Sequence, residues 1–209
     1  MIRTAPEGRW FIAAAVAIAV VLAALGHWYL LLAWLPIAIW VVAFFRDPIK
    51  AWALGERNLI APADGRVVSV VEVDEPAFFG GRATRVSIFM NVFDCHVNRY
   101  PCDGVVAYRH YNPGRFGHAG TEKASLDNEQ SSVGLETPRG KVLIRQIAGL
   151  VARRIVTDDS VGHQAKQGER MGMIRFGSRV DLFLPVDTEI LVRVDDKTKV
   201  GQTVVARWP

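Results

Sequence analysis

Hydrophobic positions run almost unbroken from Trp10 to Phe45, where only Gly26, His27 and Pro36 interrupt an apolar stretch. Such continuity leaves no polar face, so it does not read as a surface helix of a globular protein. The stretch divides at Gly26-His27 into residues 10–25, a run of 16, and residues 28–45, a run of 18. A spanning helix needs about 20 residues, with about 17 at the short end. Each run is near that limit, and the pair is too long for one helix. The pattern predicts a transmembrane helical hairpin turning at Gly26-His27, with a re-entrant or interfacial hairpin left open.

After Pro48 the pattern changes to short β-branched runs between turn residues. Residues 66–73, 84–90, 105–110, 141–147, 150–156, 180–184, 190–194 and 203–207 have strand character. Gly80-Gly81, Pro113-Gly114 and Pro138-Arg139-Gly140 punctuate them as turns. So many short strands favour a mostly β domain, sandwich-like or barrel-like, over a doubly wound fold. One weak helix is predicted over residues 121–130. The expected organisation is a membrane anchor, residues 1–50, and a single β-rich domain, residues 51–209.

Composition sharpens that division. The first 50 residues hold 37 hydrophobic ones, in a chain that is 50% hydrophobic overall. The chain is therefore neither uniformly globular nor polytopic. Arg3 and Arg9 precede the apolar stretch and Arg46 and Lys50 follow it, while the turn carries only His27. The positive-inside rule then places both ends, and the β domain, on the cytoplasmic side of the cell membrane. Trp10, Trp28, Tyr29 and Trp40 resemble interfacial anchors. A cleaved signal peptide does not fit, because the apolar region is too long and lacks a small-residue cleavage site. A net charge of +4 is too mild and scattered to argue for nucleic acid. The two cysteines, Cys95 and Cys102, exclude a disulfide scaffold, suggest no metal site, and read as small packing residues in a reducing compartment.

Candidate chemistry is concentrated in a few segments. A serine after glycine, as in Gly177-Ser178, is usually a turn, yet it has a chemical property. Its Oγ can attack the preceding carbonyl, and the resulting ester can eliminate to dehydroalanine, which hydrolyses to a pyruvoyl group. That chemistry needs a nearby base and an oxyanion donor. His96 follows a predicted strand and equally suits a half-buried structural histidine. His110 and His118 flank a turn, His27 belongs to the anchor, and His163 reads as an exposed loop residue. Asp64, in Pro62-Ala63-Asp64-Gly65, is either a turn aspartate or a partner for a histidine.

Taken together, these segments resemble one family. The ordered set is Phe45-Arg46-Asp47-Pro48, Pro62-Ala63-Asp64-Gly65-Arg66-Val67, residues 91–101, Lys123-Ala124-Ser125 with Asn128-Glu129, and residues 171–178 ending Arg175-Phe176-Gly177-Ser178. Behind a membrane hairpin it resembles the phosphatidylserine decarboxylase proenzymes, most closely their short bacterial-type branch.

The resemblance implies self-cleavage between Gly177 and Ser178, giving a β chain of residues 1–177 and an α chain of residues 178–209. Ser178 would become a covalent pyruvoyl cofactor, with no metal. Its carbonyl would form a Schiff base with the substrate amine and act as electron sink while phosphatidylserine loses CO₂ to give phosphatidylethanolamine. Asp64 and Ser178 match the family's self-cleavage residues. His96 matches a histidine associated with decarboxylation, whereas the position of the usual cleavage base is Arg99 here. Either His96 serves both stages or cleavage recruits another group. Asn128 and Glu129 match a family pair that lines the site or caps a loop. Arg99, Lys123 and Arg179 are candidates for the headgroup phosphate, or solvated charges. The partners implied are a membrane phospholipid and the two chains of one proenzyme, with a homo-oligomer left open. Alternatives are a decarboxylase of a related serine phospholipid, archaetidylserine, a membrane-anchored lipoyl-like adaptor, and a Ser-Lys peptidase using Ser178 or Ser125.

Overall fold

The computed structural model describes residues 3–48, 53–114, 128–149, 154–175 and 178–209. The chain divides into two units, Met1–Ile49 and Lys50–Pro209. In the first, a 3₁₀ turn (Pro6–Gly8) leads into helix α1 (Arg9–Ala24), followed by helix α2 (Trp28–Phe44). The break falls at Gly26-His27, as the apolar pattern predicts.

The two helices are tied at several levels. Trp34 Nε1 donates to the Ala15 carbonyl at 2.9 Å. At the base of the pair the Ala5 and Asp47 N–H groups donate to the Phe45 and Arg3 carbonyls, both at 2.7 Å. Phe11 stacks on Phe45. Most apolar side chains point outward: Trp10 and Tyr29 are 86% and 90% exposed. A helix apolar on every side suits a hydrocarbon medium rather than water. Pro6–Ala24, with a mean hydropathy of 1.8, is long and apolar enough to cross a membrane. At 17 residues, α2 reaches about 25 Å, short of a hydrocarbon core of about 30 Å.

The second unit is mostly β, in three antiparallel sheets among the described residues. The largest has eight strands in the order β13-β2-β3-β11-β7-β6-β5-β9. These are β2 (Gly65–Glu75), β3 (Gly81–Met90), β5 (Gly104–Asn112), β6 (Gln130–Thr137), β7 (Gly140–Ala148), β9 (Gln164–Ala165), β11 (Ser178–Leu184) and β13 (Lys197–Thr198). A three-stranded sheet pairs β10 (Arg170–Ile174) with β4 (Val97–Arg99) and β8 (Ile155–Thr157). The other pairs β14 (Val204–Arg207) with β1 (Asn58–Ile60) and β12 (Glu189–Ile190). Breaks in register in β2 and β5 mark bulges, which sharpen a sheet's twist. The eight-stranded sheet curls without closing into a barrel.

β11 occupies the centre of that sheet, between β3 and β7, and every residue in it is buried. Alternation sends Val180, Leu182 and Leu184 into the main core, where they meet Ile88, Ile144 and, from the small sheets, Ile174 and Val205. The opposite face carries Phe183 and buried charges. Arg145 lies over the Phe183 ring and donates to Glu75 at 3.0 Å, while Glu75 also accepts from the Phe78 and Phe79 N–H groups. Glu75→Ala strands one guanidinium and two backbone donors. It is expected to cost roughly 3 kcal/mol, measurable by denaturant unfolding.

Three expectations need correction. The helix over residues 121–130 does not extend through its end, since Gln130 opens β6; residues 121–127 lie outside the described residues. The strand over 190–194 stops at Ile190. The chain then turns so that the Arg193 N–H reaches the Asp196 carboxylate. The strand over 150–156 is seen only as β8, residues 150–153 being outside the described residues.

Candidate active site

Ser178 opens β11 and faces Met90 of β3 on one side and Ala148 of β7 on the other. Directly opposed residues share a face of an antiparallel sheet, so all three side chains lie on the core face. Ser178 is fully buried, and its Oγ has no hydrogen-bond partner among the described residues. A buried hydroxyl without a partner is costly, so its retention calls for a chemical reason. The same row continues into β6, because the Ala148 N–H donates to the Glu129 carbonyl at 2.9 Å. Glu129 therefore shares the Ser178 face, two strands away, with Ala148 between them in the row. Its carboxylate accepts from Tyr111, whose phenol is raised by partial desolvation and by that bond. Asn128 is buried and donates to the Ala148 carbonyl at 2.7 Å.

His96 lies between β3 and β4 and is fully buried. Its Nδ1 is 3.0 Å from the Asp94 carbonyl. A carbonyl only accepts, so Nδ1 carries the proton and a neutral ring holds its lone pair on Nε2. Asp94 itself is fixed in a tight turn, its carboxylate accepting from the Asn91 N–H at 2.9 Å. The His96 carbonyl accepts from the Ile174 N–H, tying the histidine to β10, the strand that leads to Ser178.

Asp64 is buried just before β2. One oxygen accepts from the Val200 N–H at 2.7 Å, and the other lies 3.7 Å from Lys199 Nζ. Since Arg66 faces Phe89, Asp64 sits at the same end of the sheet as Met90 and Ser178. Two motif glycines are explained here by close approach. A Cβ on Gly65 would lie 2.2 Å from the Phe89 oxygen, and one on Gly172 2.1 Å from the Val156 oxygen.

The remaining candidates separate. Arg179 points to the face opposite Ser178, where it forms a buried two-point ion pair with Asp181 at 2.6 and 2.9 Å. The structure thus does not bring it to the serine. Arg99 donates to the Gly168 carbonyl at 3.0 Å. Gly177, Lys123 and Ser125 lie outside the described residues, as does His118. His110 is exposed and stacks on Tyr108. His163, half-buried rather than exposed, lies near Glu169 and Asp159. Cys95 and Cys102 are buried thiols, and burial followed by the Asp103 charge pushes Cys102 up to about 12.

Sequence reasoning missed a line of buried and half-buried polar groups on the Ser178 face. Asn98 Nδ2 donates to Met90 Sδ at 3.6 Å, and its Oδ1 accepts from Gln146 Nε2 at 2.9 Å. Gln146 Oε1 accepts from Thr157 Oγ1 at 2.9 Å, which lies 2.8 Å from Ser131 Oγ. The available signal was alternation: Val142, Ile144 and Ala148 face the core, so Gln146 must as well. A cleft of about 850 Å³ lies elsewhere, lined by Glu56, Asp103, Arg139, Gln167 and Trp208 among others. It adjoins the turn before Gly140, roughly 26 Å along β7 from Ala148.

A buried serine at a strand start, without a hydrogen-bond partner among the described residues, with a histidine, two carboxylates and neutral amides at the same sheet end, suits a self-processing enzyme. Comparison with known proteins gives the family. The phosphatidylserine decarboxylase family model matches residues 37–206. The chain is 48% identical over 206 residues to a phosphatidylserine decarboxylase proenzyme of Symbiobacterium thermophilum, covering 98% of this chain and 95% of that one. It is 46% identical over 205 residues to the proenzyme of Pelagibacter ubique, covering 96% and 94%. With the proenzyme of Nitrosomonas europaea it shares 43% over 205 residues, covering 98% and 94%. The chain belongs to the phosphatidylserine decarboxylase family.

Proposed function

We infer that this chain is a proenzyme that cuts itself between Gly177 and Ser178 and then decarboxylates phosphatidylserine to phosphatidylethanolamine. The observation that carries the reading is the Ser178 Oγ, buried at the head of the central strand with no hydrogen-bond partner among the described residues. A pyruvoyl group fits that position. Met90 and Ala148 offer small or apolar neighbours, and the polar groups beyond them on this face include uncharged amides. When formed, the group supplies an electron sink for the pair released with CO₂.

The chain's own residues do the rest. His96, held by the Asp94 carbonyl, presents Nε2 to accept or return a proton. Glu129, on the same face and hydrogen-bonded to Tyr111, offers a carboxylate to the substrate ammonium. Asp64 holds the 199–200 loop against the start of β2, which supports a positioning role at this end of the sheet. The apolar hairpin, with its basic flanks, fits anchoring at the cytoplasmic face, where a lipid substrate stays in the bilayer.

Intact mass under denaturing conditions tests the reading. An active preparation is expected to contain an α chain of 32 residues, 178–209, with a blocked N-terminus. An active chain that remains whole would falsify it.

A further inference from the structure

Self-cleavage needs more than a nucleophile and a base. The carbonyl attacked by Ser178 is bonded to the Ser178 nitrogen, so negative charge develops at this strand end and requires a donor. We propose that the Asn98 side-chain amide is that donor, aimed by a hydrogen-bond relay running Ser131–Thr157–Gln146–Asn98. This rests on the self-cleaving reading above.

Three observations carry it. Asn98 is fully buried, yet its Nδ2 meets only a thioether, Met90 Sδ at 3.6 Å, among the described residues. Sulfur is a weak acceptor, so a strong donor is held in the core almost unused. A buried N–H₂ in that state costs free energy unless a partner arrives later. Second, the acceptor is the side chain directly opposite Ser178 in the ladder. The donor and the unpartnered hydroxyl thus flank the same methionine on the same face. Third, turning this amide over alone would break its bond to Gln146. Thr157 Oγ1 donates to Gln146 Oε1, which leaves Gln146 Nε2 to donate to Asn98 Oδ1 and turns Asn98 Nδ2 toward Met90. With Ser131 donating to Thr157, every proton in the chain points toward the serine, an arrangement in which each bond strengthens the next.

In the step served, the Oγ–C bond forms between Ser178 and the Gly177 carbonyl carbon, and the Oγ proton passes to the base, for which His96 is the candidate. The carbonyl electron pair moves onto oxygen, where the Asn98 N–H receives it. Collapse breaks the C–N bond, returns the proton to nitrogen and leaves an ester. Asn98 acts on the charged state, whereas Gln146 and Thr157 are positioning residues that act through it.

The test follows cleavage of newly made full-length chain by mass spectrometry, with hydroxylamine added to open any ester. Asn98→Leu, similar in size without an N–H, is expected to cleave about 100-fold more slowly, the usual cost of one oxyanion donor. It should also accumulate no hydroxylamine-sensitive ester, because the block precedes ester formation. Thr157→Val should slow cleavage severalfold, while Thr157→Ser restores the wild-type rate. Should Asn98→Leu fail to fold, Asn98→Asp decides in the same way, since it keeps the shape and the acceptor for Gln146 but has no N–H. Cleavage within threefold of wild type in a folded Asn98 variant, or accumulation of ester, overturns the proposal. Wild-type chain that never cleaves at 177–178 overturns the parent reading instead.

Discussion

Ser178→Ala is expected to give a single uncut chain of 23.1 kDa with no phosphatidylserine decarboxylase activity. The substitution removes the Oγ atom that attacks the preceding carbonyl, so neither the ester nor the group formed from it can arise. Loss should be complete in both measurements, since no second hydroxyl occupies the head of β11. The fold should survive. Ser178 Oγ is buried with no hydrogen-bond partner among the described residues, so its removal relieves a desolvated polar group and leaves Val180, Leu182 and the strand pairings untouched. Thermal unfolding is therefore expected at or above the midpoint of an uncut wild-type reference, which separates chemical loss from misfolding. Cleaved product, or turnover above background in that variant, would remove Ser178 from the mechanism.

How much of this was legible depends on what each residue's neighbours do. The helical pair reads directly, because runs of 16 and 18 residues, apolar but for Pro36 and parted by Gly-His, have few structural solutions. Strands β3, β7 and β11 read from β-branched runs. β6 did not, because Gln130-Ser131-Ser132 looks polar although all three residues are buried. Their partners come from other strands: Thr157 on β8 for Ser131, and Arg145 on β7 for Ser132. Local propensity has no access to such tertiary satisfaction. At the site, residue types are legible and directions are not. Arg179 adjoins Ser178 in sequence, but period-2 alternation turns it away toward Asp181. The order Asp64, His96, Ser178 could be matched to a family, whereas the role of Asn98 rests on two hydrogen bonds made across sheets.

His96→Ala should lower phosphatidylserine turnover by about 1,000-fold, within the range for loss of a general acid–base group. The ring is buried, and the Asp94 carbonyl fixes its tautomer so that Nε2 is the group able to exchange a proton. The carbon that loses CO₂ must gain a proton before product can leave, and a methyl side chain cannot supply one. The fall should appear in kcat with KM little changed, because the substitution leaves Glu129 and Tyr111 in place on the far side of Ala148. Mass analysis of the same preparation then assigns the stage. A chain processed to residues 178–209 with low turnover places His96 in decarboxylation alone. An uncut chain, which lacks the group that cleavage creates and so has no turnover to compare, makes it the base for self-cleavage, as the arginine at position 99 would require if no other base serves. Turnover within threefold of wild type would exclude His96 from proton transfer, leaving Glu129, a titratable group on the Ser178 face, to test next.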